Sequence, residues 1–138
     1  MKRLLILCIL SLLLIGTVAC DNNDKKADIL LDEVMAIHDE AMPINGKLYT
    51  LSGKLNVAAD SVADSTRAAD MREAAKQALE AHDAMMVWMR EFKLPEELEG
   101  DRNDEKTIEY LEGEKKKMSD IKVQMEEALE QAQSFQQQ

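Results

Sequence analysis

Cysteine, proline, glycine and aromatic residues are all scarce in this chain. Its 138 residues include two cysteines, two prolines, five glycines, one tryptophan, two tyrosines and two phenylalanines. So few cysteines exclude a disulfide scaffold. Basic residues are outnumbered as well, because 17 lysines and arginines stand against 27 acidic residues, which gives a net charge of −10. Such a chain repels nucleic acids and anionic lipid head groups, so neither is expected as a partner.

The short motifs that mark common catalytic sites are missing too. The chain has no GxSxG, P-loop, HExxH or CxxC motif, and no Glu-x-x-His pair of the kind that holds a di-iron centre in a helical bundle. No CxxCH sequence is present for haem attachment. No hydroxyl side chain lies near either histidine in sequence. The protein is therefore not expected to be an enzyme.

The first twenty residues indicate an exported protein. A basic start is followed by an apolar run over residues 4–15 and by small residues up to Cys20, which predicts a signal peptide over residues 1–19. The cysteine at the cleavage position resembles the lipobox of bacterial lipoproteins, although Thr17 stands where that box most often has leucine. The resemblance implies that Cys20 becomes the acylated first residue, carrying palmitate or similar chains, and anchors the protein to a membrane.

Removal of the signal peptide would change the cysteine content and the net charge of the chain. Cys8 leaves with the signal and Cys20 is consumed by lipid, so no disulfide can form in the mature chain. Loss of Lys2 and Arg3 takes the net charge from −10 to −12. The expected location is the cell envelope, facing the periplasm or the cell surface, and which membrane is occupied stays open. An envelope protein of unknown identity is the expected partner.

The mature chain is expected to be entirely helical. After Cys20 and a polar tether up to residue 26, three segments show helical periodicity and none shows strand alternation. The first carries a sustained apolar heptad from Leu30 to Leu55, and the others span about residues 65–92 and 103–133. Because the connections are short, we predict an all-α, up-down-up antiparallel three-helix bundle with coiled-coil-like heptads over residues 27–138.

Capping residues and one proline define the expected helix boundaries. Ser65 or Asp64 is expected to cap the second helix, and Asp101 or Asn103 the third. Pro43 lies within the first heptad, where it removes a backbone donor and clashes with the preceding turn. Since the heptad continues past it, we expect a kinked helix. The alternative is a break at which Pro43 begins a new helix.

Both histidines belong to a His-Asp-x-x-Met sequence, in which the two side chains lie one helical turn apart. If the first turn is centred on residue 60, His38 is level with His82 in an antiparallel pair. A second turn near residue 99 would bring Glu114 to the same layer. The candidate metal ligands on these faces are His38, Met42, His82, Met85, Met86, Met89 and Met118.

Two interpretations of these residues remain open. Imidazole and thioether ligands favour copper(I), whereas the two histidines with Glu114 would suit zinc. Alternatively, the methionines fill gaps in a helical core, and the histidines are hydrogen-bonded there, with the Asp39 carbonyl that Pro43 frees as an acceptor for His38. The predicted function is accordingly an acidic structural or interaction module without a cofactor, and the alternative is a metal-binding protein.

Three short sequences carry a family resemblance. The sequences "HDEAMP", "AMMVWM" and "YLEGEKKKM" resemble those of small uncharacterised Bacteroidota lipoproteins, some labelled in genomes as viral A-type inclusion protein. The resemblance implies an envelope lipoprotein and transfers no site. The same lineage suggests O-glycosylation, because Asp60-Ser61-Val62 and Asp64-Ser65-Thr66 are similar to its Asp-Ser/Thr acceptor sequence. Ser61 and Ser65 are the candidate acceptors.

Overall fold

Three helices make up most of the residues that the structure describes. The computed structural model describes residues 21–100, 102 and 104–136, with side chains from Lys25 onward, so the predicted signal peptide and Cys20 lie outside the described residues. The helices are α1 (Asp21–Ala59), α2 (Ser65–Glu91) and α3 (Glu105–Ser134), and a 3₁₀ turn at Pro95–Glu97 precedes α3. No strand occurs in these parts of the chain. The predicted all-α three-helix bundle is confirmed.

Pairs of charged side chains show the directions of the helices. Arg72 at the start of α2 reaches back to Asp60 beyond the end of α1, with Nη2 and Oδ1 2.9 Å apart, so these two helices are antiparallel. Lys115 and Lys122 of α3 pair with Glu33 and Glu40 of α1, one heptad apart on both helices. The helices α1 and α3 are therefore parallel, and every helix contacts both others.

Side-chain caps fix where α2 and α3 begin. The Asp64 carboxylate accepts hydrogen bonds from the backbone amides of Thr66 and Arg67 at 2.9 and 3.2 Å, which satisfies two donors that have no partner within the helix. Asp64 is thus the cap, as one of the two alternatives proposed. The α3 cap is Asp104, whose carboxylate accepts from the Lys106 amide. The expectation that Asp101 or Asn103 caps α3 was therefore wrong.

Helix α1 is longer than its heptad indicated. It runs unbroken through Pro43, so the alternative of a break at that residue is wrong. It also begins at Asp21, so residues 21–26, expected to form a tether, belong to its first turns. Lys26 already packs beside α3, where it pairs with Glu112 at 2.8 Å.

The core combines small side chains on α2 with large ones elsewhere. Five buried alanines on α2 let its neighbours approach closely, and burying each large apolar side chain among them contributes about 1.5–3 kcal/mol. A second, smaller cluster lies at the end of the bundle where α1 begins, and its members are Ala27, Leu30, Ile108 and Leu111. No described helix combines the length and apolar character that crossing a bilayer requires. The buried alanines are Ala68, Ala74, Ala75, Ala78 and Ala81, and the largest fully buried side chains are Trp88, Leu48, Met85, Leu111, Met118 and Met125.

Candidate functional site

The two histidines lie at different levels of the bundle. His38 contacts Met89, with Nε2 and Sδ 3.4 Å apart, whereas the ring of His82 packs against Tyr49 at 5.2 Å between centroids. The expectation that His38 faces His82 was wrong. Tyr49, which does face His82, lies eleven positions beyond His38, or about 16 Å along the helix axis. The assumed turn at residue 60 was too early, because α1 extends to Ala59 and α2 begins only at Ser65.

A row of polar and sulfur-containing side chains, which ranges from buried Asn45 to exposed Tyr49, follows the contact between α1 and α2. We call this row the seam. Its α1 members are spaced by seven and then four residues along the chain. Their partners on α2, taken in the reverse chain direction, are spaced by three and then four residues. All of them therefore lie on the facing stripes of the antiparallel pair. The three contacting pairs of the seam are His38 with Met89, Asn45 with Met86, and Tyr49 with His82.

His38 has a defined partner for each ring nitrogen. Its Nδ1 lies 3.0 Å from Oδ1 of Asp39, and its Nε2 faces the Met89 sulfur. The side chain is only 15% exposed, and its ring centroid is 5.6 Å from that of Trp88. The expected hydrogen bond to the Asp39 carbonyl is replaced by one to the Asp39 carboxylate.

Asn45 is a member of the seam that the apolar pattern of the sequence did not reveal. It is 4% exposed, and its Nδ2 donates to the Met86 sulfur at 3.6 Å. Its Oδ1 is buried and, among the described residues, has no hydrogen-bond partner; the same holds for Nδ1 of His82. The spacing could have found it, because Asn45 is four residues after Ala41 and three before Leu48, both of which are fully buried.

The other predicted ligands are dispersed. Met85 and Met118 are fully buried in the main apolar cluster, where a thioether acts as packing. Met42 is 37% exposed and lines a shallow surface cavity beside Pro43 and Gly46. In the parts of the chain that the structure describes, no group of three or more His, Cys, Asp and Glu side chains is placed to hold a metal ion. The layer of two histidines, Glu114 and Met118 is therefore not assembled.

Glu114 has a different role from the one expected. Its Oε2 accepts a 2.7 Å hydrogen bond from the indole Nε1 of Trp88, a side chain that is almost wholly buried. Trp88 also stacks on Phe92, with ring centroids 4.8 Å apart, and Phe92 in turn stacks on Tyr110 at 6.2 Å. These rings connect the main core to the smaller cluster at the end of the bundle where α1 begins.

Tyr110 closes this aromatic row at the α2–α3 connection. Its phenolic oxygen accepts a hydrogen bond from the Lys93 backbone amide at 2.8 Å, which fixes the chain just after α2. Burial raises the pKa of Tyr110 above its usual 10.0, and the negative charges of Glu114 and Glu97 raise it further, while the Lys93 hydrogen bond acts in the opposite direction. Few aromatic residues are present in this protein, and most of them stabilise this end.

The candidate glycosylation sites are both at the surface. Ser61 is exposed in the turn after α1, and Ser65 is the exposed first residue of α2. Ser65 therefore belongs to the first turn of the helix and is not its cap. No protein-family model, curated protein or solved structure matches the chain.

Proposed function

We propose that this protein is an acylated lipoprotein of the bacterial cell envelope, and that its acidic bundle is a structural or interaction module without catalytic activity. The observation that carries the proposal is the lipobox-like sequence that ends at Cys20, and the next residue, Asp21, already belongs to α1. Acyl chains on Cys20 would then be attached to a helix of 39 residues. At 1.5 Å per residue such a helix is about 58 Å long.

The ends of the bundle would have different roles under this proposal. Arg102, in the α2–α3 connection, pairs with Asp28 near the start of α1, so this connection belongs to the anchored end. The turn that contains Ser61 lies at the opposite end of α1. An anchor at Cys20 would therefore hold that turn, with its candidate glycosylation site, farthest from the membrane.

Charge supports a protein partner over other partners. Without Lys2 and Arg3 the chain carries a net charge of −12, and exposed charges of one sign speed association with a surface of the opposite sign. The natural partner is an envelope protein with a basic surface. Nucleic acids and anionic lipid head groups carry the wrong charge, so the acyl chains alone would hold the protein at the membrane.

The lipid anchor can be tested by mass spectrometry of the protein purified from the membrane fraction of a lipoprotein-processing bacterium. We expect an amino-terminal peptide that begins at Cys20 and carries acyl mass, with two or more chains, since one chain gives only marginal binding. Cys20→Ser should abolish both the acylation and the membrane retention, while the control Cys8→Ser should change neither. An unacylated peptide, or a mature terminus elsewhere, would contradict the proposal.

The interaction role needs a separate test in cells. A photocrosslinking amino acid at Val57, which is 73% exposed near the far end of α1, should give a discrete protein adduct. The matched position Ile29, 58% exposed near the anchored end, controls for random collisions. We expect the Val57 adduct to disappear in Cys20→Ser and to weaken in high salt. Heterogeneous adducts of equal yield at Val57 and Ile29 would argue against a specific partner at the far end of α1.

A further inference from the structure

The space between His38 Nε2 and Met89 Sδ lies between two lone pairs. An ionised carboxylate only accepts hydrogen bonds, so the 3.0 Å contact between Nδ1 and Asp39 Oδ1 places the single proton of a neutral imidazole on Nδ1. The other nitrogen, Nε2, then presents a lone pair. It faces Met89 Sδ at 3.4 Å, and a thioether sulfur is also an acceptor and never a donor. In this tautomer, a cation between the two atoms, either a second proton or a metal ion, makes the contact attractive.

The geometry suits a metal ion. With bonds of about 2.0 Å to nitrogen and about 2.3 Å to sulfur, the lengths found at zinc sites, an ion at a near-tetrahedral angle separates its two ligand atoms by about 3.5 Å, close to the 3.4 Å observed. Because copper(I) or silver(I) with two ligands is linear, this angle implies a third ligand. A histidine ligand usually donates its other N–H to a carboxylate, which orients the ring. Asp39 already occupies that position on His38.

The ligand types indicate which ion. Thioether sulfur is a soft donor and selects copper(I) over harder divalent ions. Met86 lies one turn from Met89 on α2, where its sulfur accepts a hydrogen bond from the Asn45 amide, so it offers a further thioether. Zinc would find neither a thiolate nor a second imidazole here, because His82 lies seven residues from Met89 on α2, or about 10 Å along the helix axis.

We propose that His38 Nε2 and Met89 Sδ bind one soft monovalent metal ion, copper(I) or silver(I), with Asp39 as a positioning residue. This site goes beyond the proposed structural role and does not depend on it. It is also narrower than the cluster of seven ligands expected from the sequence, since Met85 and Met118 are core residues and His82 is separate.

The test is an anaerobic titration with copper(I), repeated with silver(I), that follows the fluorescence of Trp88, the only tryptophan. The full chain in detergent carries Cys8→Ser and Cys20→Ser, so that no thiol competes. Because the Trp88 and His38 ring centroids are 5.6 Å apart, a bound ion should quench the indole. We expect saturation at one equivalent, with no response to zinc.

Matched variants distinguish binding at His38 and Met89 from binding elsewhere on the chain. His38→Ala and Met89→Leu should each lower the affinity at least about tenfold, whereas the controls His82→Ala and Met71→Leu should change it less than about threefold. Met89→Leu conserves volume and is expected to fold, which thermal melts of each variant confirm. The absence of a saturable response would overturn the proposal. An equal loss of affinity in His82→Ala would also overturn it.

Discussion

At the residue scale, Trp88 depends on a single acceptor. Its buried indole N–H donates to Glu114 at 2.7 Å, and Glu114→Leu would leave that donor without a partner. We expect a loss of about 1–3 kcal/mol in the free energy of unfolding, measured by urea titration with Trp88 fluorescence. Glu114→Gln keeps an acceptor and should cost less than about 1 kcal/mol. Equal losses in the two variants would show that charge or packing at Glu114 matters more than the hydrogen bond.

Ionisation of Tyr110 should lower the free energy of unfolding at alkaline pH. Its pKa is raised above 10.0, first by burial and then by Glu114 and Glu97, so the folded protein holds the phenolic proton more tightly than the unfolded chain. This contribution is complete below pH 10 and is lost as the pH rises through the folded pKa. Above about pH 10 the wild-type free energy of unfolding should fall more steeply than that of Tyr110→Phe. Parallel pH profiles would contradict the assignment.

At the element scale, the sequence was sufficient for the helices and insufficient for their register. The heptad from Leu30 to Leu55 and the caps around Asp64 depend on residues close in sequence, and they predicted α1 and α2 closely. Which residue of α1 faces which residue of α2 depends instead on where both helices end at the turn. Moving the centre of that turn by only a few residues displaced the partner of His38 from His82 to Met89.

The difference between local patterns and helix register also explains why Asn45 and its contact were not predicted. Asn45 lies on the buried stripe, yet a polar residue is not counted by an apolar pattern. Its contact with Met86 follows from the register and could not be found without it. The sequence therefore identified the residue types of the candidate site, while the structure placed His38 beside Asp39 and Met89.

Pro43 is the residue of α1 that opposes its helix most strongly. It lies inside the helix and removes the hydrogen bond to the Asp39 carbonyl, and proline costs about 3 kcal/mol relative to alanine in a helix interior. Because Pro43 is exposed, Pro43→Ala should stabilise the protein by about 1–3 kcal/mol in urea unfolding. Gly46→Ala, whose new methyl group would meet nothing within 4 Å, controls for simple helix propensity and should gain about 0.5–1 kcal/mol. A loss of stability in Pro43→Ala would show that packing requires the altered backbone.

At the scale of the whole molecule, repulsion between acidic residues competes with ion pairs between helices. The net charge is −10, while the pairs of Lys115 with Glu33 and Lys122 with Glu40 are partly exposed. Exposed pairs contribute about 0–1 kcal/mol each, whereas the excess negative charge acts over the whole surface. Salt screens both, because the Debye length falls to about 10 Å at 0.1 M.

We expect the repulsion to be the larger effect, so that the melting temperature rises by a few degrees, roughly 2–6 °C, between low salt and about 0.3 M sodium chloride. The double variant Lys115→Gln/Lys122→Gln provides the comparison. It removes two attractions and makes the chain more negative, so both changes should steepen the rise of its melting temperature with salt. A wild-type melting temperature that falls with salt would mean that the α1–α3 ion pairs, although partly exposed, outweigh the acidic surface in holding the bundle together.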